Sequence, residues 1–425
     1  FSTMATPENV KEVKETVEAA LRGRRKLPNP EAAHKFWDTQ PVPKLSTSMD
    51  DIIKDGTGSI EADRTVDDVQ KEPYKIPSAY EWFNPDVTNA DDVQALYDLL
   101  ANHYVEDDES VFRFAYPKEF LYWALTPPGW LRDWHIGVRV KTTGQLVGFI
   151  SGIPAQLRLK DTVLKVAEIN FLCVHKQIRS KRLAPVLIKE VTRRVNLQSV
   201  WQAVYTAGIV LPRPISSAQY WHRSLNPQKL VAIRFSRIPP HFEKFQRPME
   251  ATKRHYALPS KPKLEGLRPM EEKDVKAVQE LLCNYLKNFV FAPHFDEADI
   301  RHWLLPRDGV INSFVVADKD GKVTDFMSFY TLPSTIIGHP KYSLLKAAYS
   351  YYNVATSTTI LDLMQDCLIM AKNLDFDVFN ALDLMENQKF VRELKFGVGD
   401  GHLQYYLFNY RFPDVKPEDL ALVLL

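Results

Sequence analysis

Apolar and polar positions alternate along residues 136–151 (IGVRVKTTGQLVGFIS) and again along 313–328 (SFVVADKDGKVTDFMS), each run broken by a short polar turn ending in Gly144 or Gly321. Period-two alternation on both sides of a glycine-bearing turn predicts a β-hairpin in each place. The two runs start 177 residues apart. Upstream of each, apolar positions recur at helical spacing, with 92–102 (DVQALYDLLAN) parallel to 274–284 (DVKAVQELLCN). Downstream, each copy offers another helix (183–195; 361–371) and then an apolar strand (199–207; 377–384). The pattern predicts a duplicated α/β unit: an N-terminal half over 26–246, a linker at 247–267 carrying Pro248, Pro259 and Pro262, and a C-terminal half over 268–425. Residues 1–25, with Val10, Val13, Val17 and Leu21 among Lys and Glu, read as a tail or a marginal helix. Residues 41–71 are polar and are expected to wrap the surface without a core of their own.

Chemistry gathers where the pattern breaks. The apolar run 168–176 (EINFLCVHK) ends in a basic loop, Arg179, Ser180, Lys181 and Arg182. That loop opens a helix with Leu183, Leu187 and Val191 on one face, and Pro185 is tolerated only in its first turn. Unpaired amides beside three cations make an anion site suited to a phosphorylated ligand; a solvated basic turn is the alternative. Cys173 and His175 share a strand face, so either an acyl-cysteine with a histidine base or a small core residue is expected. The run 395–401 (KFGVGDG) holds three glycines, which suit a backbone pressed against a ligand or a bulged turn. The carboxylates of 106–109 either grip a basic peptide or form a solvated loop. Aromatic clusters at Phe36 and Trp37, at Phe112, Phe114 and Tyr116, at Tyr220 and Trp221, and at Tyr349, Tyr351 and Tyr352 suggest a long apolar groove. The chain ends LALVLL, a terminus expected to be buried, which would raise the basicity of its carboxylate unless it is paired.

Bulk composition narrows the classes. A chain of 425 residues, 45% hydrophobic, fits two cores better than one. Lys plus Arg (54) nearly cancel Asp plus Glu (53), so no global field favours nucleic acid or an anionic bilayer. Three cysteines without CxxC spacing argue against a disulfide framework and a structural zinc, and fit a reducing, cytoplasmic setting. No stretch reaches the roughly 20 apolar residues of a membrane span, so no integral membrane protein is expected.

The motifs EINFLCVHK and KFGVGDG, with KFWDTQPVPK, YVEDDE, RSKRLAPVLI, YWHRSLNP, TLPSTI and NALDLMEN, make residues 35–425 resemble the glycylpeptide N-tetradecanoyltransferase (N-myristoyltransferase) family, most like its fungal members. The resemblance implies a duplicated GCN5-related N-acetyltransferase-like α/β fold, two pseudo-symmetric halves fused into one saddle-shaped mixed sheet. It implies direct transfer of a myristoyl group from myristoyl-CoA to the α-amine of an N-terminal glycine, with no cofactor and no metal, by a monomer. Acyl-CoA contacts fall by resemblance on Lys35, Phe36, Trp37, Phe171, Leu172, Cys173, Val174 and 179–185 (Arg179, Ser180, Lys181, Arg182, Leu183, Ala184, Pro185). The amides of Phe171 and Leu172 become an oxyanion hole, exposed by a β-bulge. The Leu425 carboxylate becomes the base, with Asn170 and Thr206 positioning the amine. Peptide contacts fall on Tyr104, Asp108, Phe112, Phe114, Tyr205, Tyr220, His222, Ser334, Tyr349, Asn380, Asp383, Leu384, Asp400 and Leu403. Another CoA-dependent N-acyltransferase and a noncatalytic lipopeptide carrier are the competing readings.

Overall fold

The computed structural model describes residues 35–62, 64–106 and 111–425; the expected tail 1–25 and Asp108 lie outside them. Two series of elements follow one another in the same order. The first is β1 (Tyr80–Phe83), α1 (Ala90–His103), β2 (Phe112–Phe114), α2 (Lys118–Leu125), β3 (His135–Val140), β4 (Leu146–Leu159), β5 (Thr162–Val174), α3 (Leu183–Asn196), β6 (Gln202–Ala207) and β7 (Ser216–Ser224). The second is β8 (Leu267–Pro269), α4 (Val275–Leu286), β9 (Phe291–Pro293), α5 (Glu297–Leu304), β10 (Ile311–Ala317), β11 (Val323–Thr331), β12 (Ser334–Ile336), β13 (Leu344–Leu345), β14 (Ala347–Val354), α6 (Ile360–Asn373), β15 (Val378–Leu382) and β16 (Gly397–Phe408).

The main sheet runs β1-β3-β4-β5-β6-β16-β7-β15-β14-β11-β10-β8, with β9 pairing beside β4. Read from either end, corresponding strands appear in the same sequence, so the sheet has a pseudo-twofold centre between β16 and β7. The last strand of each series has crossed into the other: β16 pairs with β6, and β7 pairs with β15. Both expected hairpins are present, as β3 with β4 and β10 with β11. Each series also contains one parallel pair, β5 with β6 and β14 with β15, bridged by α3 or α6 as a right-handed crossover requires.

Local chemistry sets the helix ends. The Asn89 side chain accepts from the amides of Asp91 and Asp92 at the start of α1, and Thr359 accepts from Asp362 at the start of α6. The apolar stripe of α1 (Val93, Leu96, Leu99, Leu100) and that of α3 (Leu183, Leu187, Val191, Val195) are buried against the sheet. One core cluster joins α1, β4, α4, β14 and the chain's end, where Leu420 through Leu424 are all buried. The Ala421 amide donates to the Phe291 carbonyl at 2.7 Å, which threads this tail through the molecule.

Two stretches depart from their expected character. Residues 41–71 do contribute to a core, since Val42 packs in the cluster of α3 and β3, and they carry a capped helix, Met49–Asp55. Within 247–267 lies a helix, Pro248–His255, and Asp366 of α6 accepts the amides of Lys263 and Leu264. The strand expected from 199 begins at Gln202, because Ser199 has φ 58° after the helix end.

Candidate active site

β5 and β6 are parallel neighbours only over Val166–Glu168 and Gln202–Val204, so beyond Glu168 they part and leave a V-shaped opening. The register of β5 against β4 also breaks there: Ser151 faces Asn170 and Phe149 faces Cys173, so Phe171 and Leu172 together oppose the single residue Ile150. Phe171 has φ 55°. This is a β-bulge, the device that turns successive amides out of a ladder. Its buried Phe171 ring is held edge-on by Tyr116, with centroids 5.1 Å apart.

Asn170 occupies the mouth of the V. Its Oδ1 accepts the Phe171 N–H at 2.7 Å, and its Nδ2 donates to the Leu425 main-chain oxygen at 2.5 Å. The Tyr104 hydroxyl reaches the same Oδ1 at 3.4 Å, and burial pushes that phenol well above its ordinary range. The parallel register, continued two residues past its last pair, sets Thr206 of β6 across from Asn170. One side chain thus links the bulge to the chain's last residue, 255 positions away.

The basic loop adjoins this site. A 3-10 turn, Lys176–Lys181, leads to Arg182 in the left-handed region, and no side chain caps α3. Its first amides, at Leu183 and Ala184, therefore lack a capping acceptor, while Pro185 as third helical residue has none to satisfy. Ser180, Lys181 and Arg182 are exposed. Arg179 is partly committed: its Nε donates to the Val174 carbonyl at 3.2 Å and its Nη2 to the His103 carbonyl at 2.5 Å. Trp37 comes to β6, where it stacks on Tyr205 at 5.7 Å, and Tyr205 stacks on Tyr406 at 4.9 Å; Phe36 meets Trp37 edge-on at 5.3 Å, and Lys35 is exposed.

A second group of the expected residues crosses four adjacent strands. Tyr349 (β14), Asn380 (β15) and His222 (β7) stand side by side in register, and His222 Nδ1 meets Asn380 Oδ1 at 2.7 Å. Burial lowers the His222 pKa. On β16 the ladder jumps from Val398 to His402, leaving Gly399, Asp400 and Gly401 to bulge beside Tyr220. A Cβ on Gly399 would come within 2.4 Å of His222 Nε2 and 2.9 Å of the Tyr220 carbonyl, so the glycine is required by this protein's own side chain and backbone. Leu403 faces Ala218, and Asp383 accepts the Gln219 amide at 2.7 Å. Burial raises the Asp383 carboxyl. Phe114 and Phe112 of β2 pair with Ser334 and Ile336 of β12, a small sheet that ties the two series together. Leu384 is buried in the core cluster that contains the tail.

Two sequence alternatives resolve. The Cys173 thiol is buried, turned to the Leu99 carbonyl at 3.9 Å, and pushed up to about 12 by desolvation. His175 packs instead against His103, with centroids 3.8 Å apart and the rings tilted by 43°. Cys173→Ala is therefore expected to keep the single-turnover rate within about twofold, with no acyl adduct on the intact protein by mass spectrometry. Glu106 is bound to Lys176 and to Arg113 (Nε to Oε1, 2.7 Å), and the Lys176 bond, with that of Arg113, holds its carboxyl down to about 2. It is neither a free peptide grip nor a solvated residue.

Sequence reasoning assigned no chemistry to Glu168. The available signal was the single carboxylate of the strand Thr162–Val174, placed between apolar Ala167 and Ile169. Burial lifts its pKa to about 8.

Comparison with known proteins gives concordant results. The family described as Myristoyl-CoA:protein N-myristoyltransferase, N-terminal domain, matches residues 59–218, and its C-terminal domain matches 232–421. Glycylpeptide N-tetradecanoyltransferase 2 of Bos taurus is 56% identical over 391 residues, covering 92% of this chain and 76% of the relative. Glycylpeptide N-tetradecanoyltransferase 1 of Arabidopsis thaliana is 56% identical over 394 residues, covering 92% and 89%. A crystal structure of Saccharomyces cerevisiae N-myristoyltransferase with bound myristoyl-CoA superposes with a TM-score of 0.87 at 41% identity, covering 92% of this chain and 99% of that one.

Proposed function

This chain belongs to the myristoyl-CoA:protein N-myristoyltransferase family, and from that premise we propose that it moves a tetradecanoyl group from the CoA thioester to the α-amine of an N-terminal glycine, by direct attack at the β5 bulge. The observation that carries the mechanism is the Asn170 side chain, joined at one end to the Phe171 amide and at the other to Leu425.

The V between β5 and β6 receives the thioester, with the CoA phosphates at the uncapped start of α3 and Lys181, Arg182 and the remaining Arg179 donors around them. As the thioester oxygen approaches the bulge it takes the Phe171 N–H from Asn170 Oδ1, and Leu172 supplies the second amide. Donors fixed where negative charge grows stabilise the tetrahedral state more than the ground state. The freed Asn170 amide oxygen and Thr206 then hold the incoming amine. An α-ammonium with pKa near 8 is mostly protonated at neutral pH, so the Leu425 carboxylate removes one proton before attack. The nitrogen–carbon bond forms, the carbon–sulfur bond breaks, and the departing thiolate takes the amine's second proton.

On this reading the first half carries most acyl-CoA contacts and the second half most peptide contacts, along Tyr220, His222, Asn380 and Tyr349 with Asp383, Asp400 and Leu403. Asp108 has no described position and stays a peptide contact by resemblance alone. The protein works as a cytoplasmic monomer; no described helix is long and apolar enough to cross a membrane.

The test is direct: the protein is incubated with myristoyl-CoA and a glycine-first peptide, and the product mass is read. A myristoyl amide on the glycine is expected. Faster transfer from acetyl-CoA would move the assignment to a short-chain N-acyltransferase, and binding of both ligands without a product would make it a carrier.

A further inference from the structure

A cavity of ≈ 40 Å³ lies behind the Asn170–Leu425 contact, lined among others by Glu168, His294, Asp299, Tyr351, Tyr352 and Leu425. It is large enough for a water molecule and its wall is polar enough to hold one. Glu168 and Asn170 are two residues apart on β5, so they share a face about 7 Å apart along the strand. Asn170 grips the Leu425 oxygen, which places Glu168 one step farther along the same face. Glu168 is half-buried, and among the described residues no lysine or arginine lines the cavity. The titratable groups that face it are His294 before α5, Asp299 on α5, Tyr351 and Tyr352 on β14, Tyr405 on β16, and Leu425 itself. The Tyr405 hydroxyl is buried without a hydrogen-bond partner.

We propose that Glu168 is a positioning and proton-holding residue: the proton that the Leu425 carboxylate takes from the glycine ammonium passes through a cavity water to the Glu168 carboxylate. The proposal rests on the reading of Leu425 as base. An N–H bond of the ammonium breaks, an O–H bond forms on Leu425 and breaks again as one forms on Glu168. The thiolate still takes the second amine proton, and Glu168 returns its own to solvent before the next cycle.

The chemistry favours such a partner. A carboxyl of ordinary acidity is a far stronger acid than an α-ammonium, so a proton left on it returns readily to the amine. Glu168, lifted to about 8 by burial alone, matches the amine and can keep the proton while attack proceeds. The Glu168, Asp299 and Leu425 carboxylates over one small cavity also repel one another, and a proton on Glu168 relieves part of that repulsion.

Glu168→Gln is a neutral isostere, and Glu168→Asp keeps the acid on a shorter stem. Single-turnover acyl transfer is measured from pH 6 to 9.5 for both variants and the wild type, together with myristoyl-CoA affinity. Wild-type transfer should rise with pH through the Glu168 ionisation. Glu168→Gln should lose about tenfold or more in rate and keep only the rise that the glycine amine's own ionisation gives, with myristoyl-CoA affinity within about threefold. Glu168→Asp should recover part of the rate on a displaced limb. Full rate with an unchanged pH profile in Glu168→Gln overturns the proposal, as does an equal loss of rate and of myristoyl-CoA affinity in both variants. If Glu168→Gln stays active while removal of Leu425 abolishes transfer, only the relay falls. Full activity without Leu425 defeats the reading beneath it.

Discussion

Deleting Leu425, or extending the chain by one alanine beyond it, is expected to lower single-turnover acyl transfer by about 10²–10⁴-fold, the range that removal of a positioned general base produces. The expectation follows from how the tail is held. Leu420 through Leu424 are buried in the shared core, the Val423 amide approaches the Tyr352 hydroxyl at 3.3 Å, and Asn170 Nδ2 donates to the Leu425 oxygen. Deletion withdraws the carboxylate by one residue, and extension replaces it with a peptide carbonyl of negligible basicity. Neither change touches the basic loop, α3 or the Phe171 bulge, so myristoyl-CoA affinity should stay within about threefold. Rate and affinity falling together would show instead that the tail is needed for folding alone.

Asn170→Asp should cost about 10³-fold in the same assay and exceed the loss in Asn170→Ala. The aspartate keeps the size of the side chain but replaces the Nδ2 donor with an oxygen facing the Leu425 carboxylate, where like charges repel. Its other oxygen would accept the Phe171 N–H through a charge-assisted bond, stronger than the present one at 2.7 Å. The thioester oxygen would then have to displace an anion to reach the bulge. Alanine leaves the Phe171 amide open but loses the link to Leu425 and the amide oxygen that would hold the amine. Comparing the two variants at saturating myristoyl-CoA separates blockage of the oxyanion hole from misplacement of the base.

Much of the architecture is written in local patterns. The alternation in 136–151 and 313–328, and the stripes of 92–102 and 274–284, depend only on residues close in sequence, so hairpins and helices emerged with the correct order and duplication. Strand exchange did not, because the alternation of 397–408 fixes which side chains face the core but says nothing of which strand lies beside it. The β12–β13 insertion also has no counterpart in the first series to betray it.

The site divides the same way. The bulge and basic loop sit within one stretch, 168–185, whereas the Asn170–Leu425 bond spans 255 positions and needs the whole tail to be threaded through the core first. Glu106 shows the opposite failure: four adjacent carboxylates read as one feature, yet this one is absorbed by Lys176 and Arg113, which lie on separate strands or turns.

The placement of β16 between β6 and β7 bears on modularity. A cut anywhere in 247–267 yields a first fragment with a strand-wide gap in the middle of its sheet and a second fragment ending in a strand that has lost both neighbours. Each piece would bare ladder hydrogen bonds and apolar faces at that point. Residues 247–267 therefore offer no line of cleavage: either piece alone would have to fill that gap with a strand from elsewhere.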